Sequence, residues 1–119
     1  MGTEPKKKEF IIIKKGLHYF LLKTSDIAYI YMENDITYII DQGGARYVCF
    51  ENLNSLEAKL DDCFFRANRQ YIVNVDFIKS FRMHEKSKII VEMKVNESKN
   101  TIHVSQVTAP KFKEWILKF

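Results

Sequence analysis

The chain has 119 residues, of which 46% are hydrophobic and 29% charged, enough for one domain with a real core and too few for two. Lys and Arg outnumber Asp and Glu by 19 to 15, and the resulting +4 suits a polyanionic partner without requiring one. No stretch is long and apolar enough to span a bilayer, and the first ten residues carry three lysines but no apolar run fit for a secretory signal.

Residues 1–9, with Lys6-Lys7-Lys8, contain no apolar side chain after Met1 and read as a disordered tail or the remnant of a linker. The domain is expected to occupy residues 10–119. Phe10-Ile11-Ile12-Ile13 and Tyr19-Phe20-Leu21-Leu22 flank Lys14-Lys15-Gly16-Leu17-His18 in the pattern of a hairpin. Thr24-Ser25-Asp26 interrupts, a strand resumes over residues 27–32, and Asn34-Asp35 signals a turn before a strand centred on Tyr38-Ile39-Ile40. Gln42-Gly43-Gly44-Ala45 is a second tight turn, its paired glycines supplying the positive φ that a hairpin needs. Arg46-Tyr47-Val48-Cys49-Phe50 then returns as a strand.

The period changes over residues 52–60. Leu53, Leu56 and Leu60 are spaced by three and four, and Asn52 can cap the first turn, which predicts a short amphipathic helix ended by Asp61-Asp62. The next stretch, residues 64–74, has aromatic and β-branched ends, Phe64-Phe65 and Tyr71-Ile72-Val73, around a polar centre with Arg66, Asn68, Arg69 and Gln70. Two strands holding a cluster of hydrogen-bond donors can present it to a polyanion, and composition alone allows an ordinary surface loop equally well. Val75-Asp76-Phe77-Ile78 fits one helical turn. Strands follow at Ser80-Phe81-Arg82-Met83 and Ile89-Ile90-Val91-Glu92-Met93, with a turn over residues 96–100 and a last strand over residues 101–104. Ser105 or Thr108 caps a final helix with Pro110 in its first turn, and Phe112, Trp115, Ile116 and Phe119 recur as its buried face. The fold class is therefore mainly β, short antiparallel strands with one short central helix and a C-terminal helix.

Chemistry has little support. His18, His84 and His103 lie far apart, and neither cysteine has ligand or CxxC spacing, so a metal site is not expected and Cys49 and Cys63 read as buried free thiols of a reducing cytoplasm. Asp61-Asp62 and the pair Glu33 and Asp35 have simple structural placements at a helix end and a turn. Nucleophile motifs and glycine-rich phosphate loops are absent, so neither an enzyme nor a cofactor is expected. The aromatic residues fall in core-like runs and the basic-Gly-aromatic-Gly pattern of sheet RNA binders does not occur.

Taken with its neighbours, the stretch Phe64-Phe65-Arg66-Ala67-Asn68-Arg69-Gln70-Tyr71-Ile72-Val73-Asn74 resembles the signature of the LytTR DNA-binding domain. Asp26-Ile27-Ala28-Tyr29-Ile30 is similar to that family's strand entry, Leu53 to Leu60 to its leucine-rich helix, and Ile102-His103-Val104-Ser105 to the strand leading into its last helix. The resemblance implies short antiparallel strands in several small sheets, with double-stranded DNA read by loops rather than by a recognition helix. It also implies the output half of a two-component response regulator in the cytoplasm, with an N-terminal receiver domain and two copies, as a dimer, on repeated half-sites.

The family's contact loops map onto three places. These are Asn34, Asp35 and Thr37; Asn68, Arg69 and Gln70; and Ser105 and Gln106. The family often has His-Arg-Ser where Asn68-Arg69-Gln70 stands and Ser-Arg where Ser105-Gln106 stands. Arg69 can bond bidentately to guanine or clamp a phosphate, while Asn68, Gln70 and Gln106 can each pair with adenine. Arg66 and Asn74 are expected to hold the loop; Lys86, Lys88 and Lys99 are candidates for phosphate contacts, although scattered lysines are usually only solvated. Neutral Gln106 and acidic Asp35 favour the alternative, a protein-interaction module that keeps the fold without specific DNA binding.

Overall fold

A computed structural model describes residues 9–95 and 101–119. Ten strands and two helices follow in the order β1 (Phe10–Lys15), β2 (His18–Lys23), β3 (Ile27–Glu33), β4 (Ile36–Asp41), β5 (Arg46–Cys49), α1 (Leu53–Lys59), β6 (Phe64–Arg66), β7 (Tyr71–Asn74), β8 (Ile78–Met83), β9 (Ile89–Met93), β10 (Thr101–Val104) and α2 (Ala109–Ile116). All pairings are antiparallel. Seven strands form one sheet in the order β2-β1-β5-β4-β3-β7-β6, and three form a second in the order β10-β9-β8. The mainly β architecture with two short helices is thus as expected. The predicted turn over residues 96–100 lies outside the described residues.

Local chemistry accounts for the punctuation. Asn34 and Asp35 both take positive φ, +52° and +64°, the geometry of a two-residue hairpin that matches strand twist. Of the paired glycines only Gly44 is left-handed, at +88°; the amides of Gly43 and Ala45 instead reach Asp41 Oδ1 at 2.9 Å each. Asn52 caps α1, its Oδ1 accepting from the Ser55 amide at 2.8 Å.

Two apolar clusters lie on opposite faces of the large sheet. On one face Ile11, Ile13, Ile30, Ile39 and Ile72 meet Leu53, Leu56 and Leu60 from the α1 segment. On the other, Tyr29, Ile40 and Val73 meet Val91, Ile102 and Val104 of the small sheet and Phe112 and Trp115 of α2. The Trp115 indole donates to the Asp62 carbonyl at 2.6 Å, tying α2 to the chain that enters β6. Phe119 departs from expectation: α2 ends at Ile116, and the Phe119 ring is 58% exposed, touching the edge of Trp115 rather than entering the core. Cys49 is buried but Cys63 only half-buried, and both are free.

Candidate nucleic-acid interface

Sheet order brings three separate turns to one edge. Because β3 lies between β4 and β7, the Asn34-Asp35 turn that ends β3 sits beside the turn that opens β7. The Met32 amide donates to the Gln70 carbonyl at 3.0 Å, fastening these two turns together. The third arrives from the small sheet: Asn68 Nδ2 donates to the His103 carbonyl at 2.6 Å, two residues before Ser105. An open groove results, lined by Met32, Arg66, Asn68, Arg69, Gln70, Ser105 and Thr108.

Beyond the last backbone bond of the β6–β7 ladder, from the Ala67 amide to the Tyr71 carbonyl at 2.9 Å, side chains hold the turn. Arg66 is its anchor. Its guanidinium donates to the carbonyls of Asn68 at 2.8 Å and Arg69 at 2.6 Å, and on its other side to Asn54 and Glu57 of α1, both at 2.9 Å. Asn68 is consumed as well, since its Oδ1 accepts from the Gln70 amide at 2.7 Å while its Nδ2 holds His103. Asn74, fully buried at the far end of β7, donates to the Ile27 carbonyl at 2.8 Å and accepts from the Asp76 amide at 3.0 Å. Ser105 Oγ donates to Thr108 Oγ1 at 2.8 Å, and its backbone carbonyl receives the amides of Thr108 and Ala109. Thr108, at the N-cap of α2, makes no capping bond with its own side chain. Next to this edge, burial above all, then Tyr31 and Glu33, raises the Tyr71 phenol above its ordinary value of 10.0.

Comparison with known proteins fits this geometry. The profile of the family described as "LytTr DNA-binding domain" matches residues 18–117. The chain belongs to the LytTR family. Among solved structures, a LytTr DNA-binding domain of a methyl-accepting/DNA response regulator from Bacillus cereus is 25% identical, with a TM-score of 0.81 over 94% of this chain and 99% of that one. No curated protein matches. LytTR domains are DNA-binding and non-catalytic, and among the described residues no His, Cys, Asp or Glu cluster could hold a metal ion. No described helix is long and apolar enough to cross a membrane.

Within this LytTR edge the expected contact residues divide. Asn34, Asp35, Arg69, Gln70 and Gln106 are exposed, and among the described residues Arg69 has no side-chain partner. Thr37 does not belong with them. It is 4% exposed, because it shares the strand face of Ile39 and turns toward α1 rather than toward the turn tip. Asn68 is half-buried in the groove wall with both ends of its amide engaged, which braces the turn. Two groove residues, Met32 and Thr108, escaped sequence reading, since neither carries a local signal for a groove. Of the lysines, Lys86 and Lys88 lie in the exposed β8–β9 link, which the pairing of Ile89 with both Met83 and Val104 puts at the same sheet end as Ser105. Lys99 lies outside the described residues.

Proposed function

We propose that residues 10–119 form a sequence-specific reader of double-stranded DNA and the output domain of a two-component response regulator. On this reading residues 1–9 belong to a linker from an N-terminal receiver, and the protein works in the cytoplasm on repeated half-sites. The observation that carries it is the approach of the 34–35 turn and of the segment ending in Ser105 to the 68–70 turn, through the Met32–Gln70 and Asn68–His103 bonds, with Arg69 exposed and, among the described residues, without a side-chain partner. Arg69 bonds guanine O6 and N7 or a phosphate; Asn34, Gln70 and Gln106 read adenine; Asp35 accepts from a cytosine amino group. Bases are read by turns, and no helix need enter a groove.

The test is selection from random duplexes followed by titration of the selected operator. An enriched motif is expected, with Arg69→Ala weakening specific binding by about 1–3 kcal/mol and relaxing preference at one base position. No enriched motif at moderate salt, or an Arg69→Ala variant that binds the operator as tightly as the parent, overturns the reading.

A further inference from the structure

The large sheet is covered unevenly. On one face the α1 cluster covers β1, β5, β4, β3 and β7 and leaves Phe20 of β2 46% exposed, while on the other the small sheet and α2 rest on Tyr29, Ile40 and Val73, toward the β3, β7 and β6 side. Beyond that cover, strand alternation turns Phe10, Ile12, Tyr19, Leu21, Ile36 and Phe50 outward, each 41–69% exposed. Register makes them one band. Ile12 pairs with Leu21, and Lys14 with Tyr19. Phe50 lies one step past Cys49, which pairs with both Ile13 and Thr37, so it stands between Ile12 and Ile36. The Tyr19 and Phe50 rings are 6.0 Å apart. The same β1 strand buries Ile11 and Ile13 on its other face, at 0% and 1% exposure, so the hairpin is docked and its outer face is open by design of the alternation.

Six such side chains leave about 600 Å² of largely apolar surface in water, the upper end of what a lone soluble domain presents. Two copies of that face pressed together bury about 1,200 Å², the lower bound for a specific association. Lys14, over the Tyr19 ring, and Lys23, opposite Phe10, lie on the same face; their apolar stems can cover it while the ammonium groups stay in water, so the face can meet itself across a two-fold axis.

We propose that this band is the interface with a second copy of the chain, the two sheets stacked face to face about an axis running along the strands. The choice of axis rests on the DNA reading proposed above. Rotation about the strand direction keeps both sets of turns at the same end, where one duplex can meet them. Pairing the free edge of β2 with its copy, about an axis perpendicular to the sheet, sends them to opposite ends.

Sedimentation of the chain without DNA over a range of loadings tests the interface. A reversible monomer–dimer equilibrium is expected, with Kd between about 10 μM and 1 mM. Phe50→Glu and Leu21→Glu, at exposed positions and checked by circular dichroism, each weaken it at least about tenfold, or 1.4 kcal/mol. A single-copy mass at every loading up to about 1 mM overturns the proposal, and marks the face as one for a different partner. A dimer indifferent to Phe50→Glu overturns it too, because Phe50 lies inward of the β2 edge and edge pairing would tolerate the change. On DNA, Phe50→Glu is expected to keep parental affinity for one half-site and lose cooperativity between two; unchanged cooperativity counts against the interface. A chain that dimerises through Phe50 but binds no duplex refutes the DNA reading and the axis while leaving the interface standing.

Discussion

Replacing Arg66 by alanine tests whether the reading turn is held rather than merely placed. The side chain makes four bonds, two to turn carbonyls and two to α1, and is 20% exposed. The ion pair with Glu57, whose side chain is 52% exposed, is screened and contributes about 0.5 kcal/mol. Bonds from a charged donor to backbone carbonyls contribute more, roughly 1.5 kcal/mol each before water replaces them at the open rim. The expected loss in urea unfolding is therefore about 1–2 kcal/mol, with an unchanged m value. Operator affinity should fall roughly tenfold, because the loosened turn must be ordered on binding. Arg66→Lys should behave almost like alanine, since an ammonium cannot reproduce the fork that spans two carbonyls and α1. Salt dependence separates holding from contact. A guanidinium committed to Glu57 and to carbonyls releases no counterion, so the slope of log K against log salt should match the parent. A slope reduced by about one, with parental stability, would show that Arg66 meets a phosphate and would refute the reasoning.

Three further perturbations test the scaffold. Asn74→Ala strands the Ile27 carbonyl and the Asp76 amide at a fully buried position and should cost about 2–3 kcal/mol in chemical unfolding; a change under about 0.5 would mean that water replaces both bonds. Phe112→Ala removes the ring that joins Phe65, Phe81 and Trp115, and should cost about 3–5 kcal/mol, enough to leave much of the chain unfolded at 37 °C. Burial first, then the charges of Asp61, Asp76 and Asp62, push the Cys63 thiol up from 9.0. Since the thiolate is the reactive form, alkylation of Cys63 should reach half its maximal rate at a more alkaline pH in the folded chain than in urea, read by site-resolved mass spectrometry. The reverse order would contradict the shift. The same sign makes this thiol's contribution to stability complete below its unfolded pKa and lost as pH rises through the folded one.

Much of this architecture is local and so can be read from the sequence. The 3.6 period of Leu53, Leu56 and Leu60 specifies α1, and Asn34-Asp35 specifies a hairpin because both residues tolerate left-handed backbone. Thr37 shows a signal present but outweighed: strand alternation puts it on the side of Ile39, while resemblance to a contact loop put it at the turn. Asn68 hides a similar signal, since an asparagine two residues before an amide tends to close an Asx turn. What no local pattern reveals is sheet order. That β7 pairs with β3, and that Asn68 reaches His103 across 35 residues, follows from packing on a shared core and not from either segment alone. Phe119 fails for a simpler reason: the helical period outruns the helix.

Reading bases with turns moves the burden of rigidity from a helix to the groups that hold the turns. Here those groups are Arg66, Asn68 and Ser105, polar side chains in the reading segments whose hydrogen bonds go to the protein itself. On the proposed DNA reading, their commitment leaves Arg69, Gln70 and Gln106, with Asn34 and Asp35, to face a duplex. One cation, one carboxylate and three amides make a surface with little net charge, suited to discriminating base edges and poorly suited to holding phosphates. Affinity must then come from cations outside the groove, and Lys86 and Lys88 in the β8–β9 link occupy the same end of the fold. Specificity and affinity on this reading sit on different loops, joined because Ile89 pairs at once with Met83 and Val104 and because Asn68 holds the His103 carbonyl.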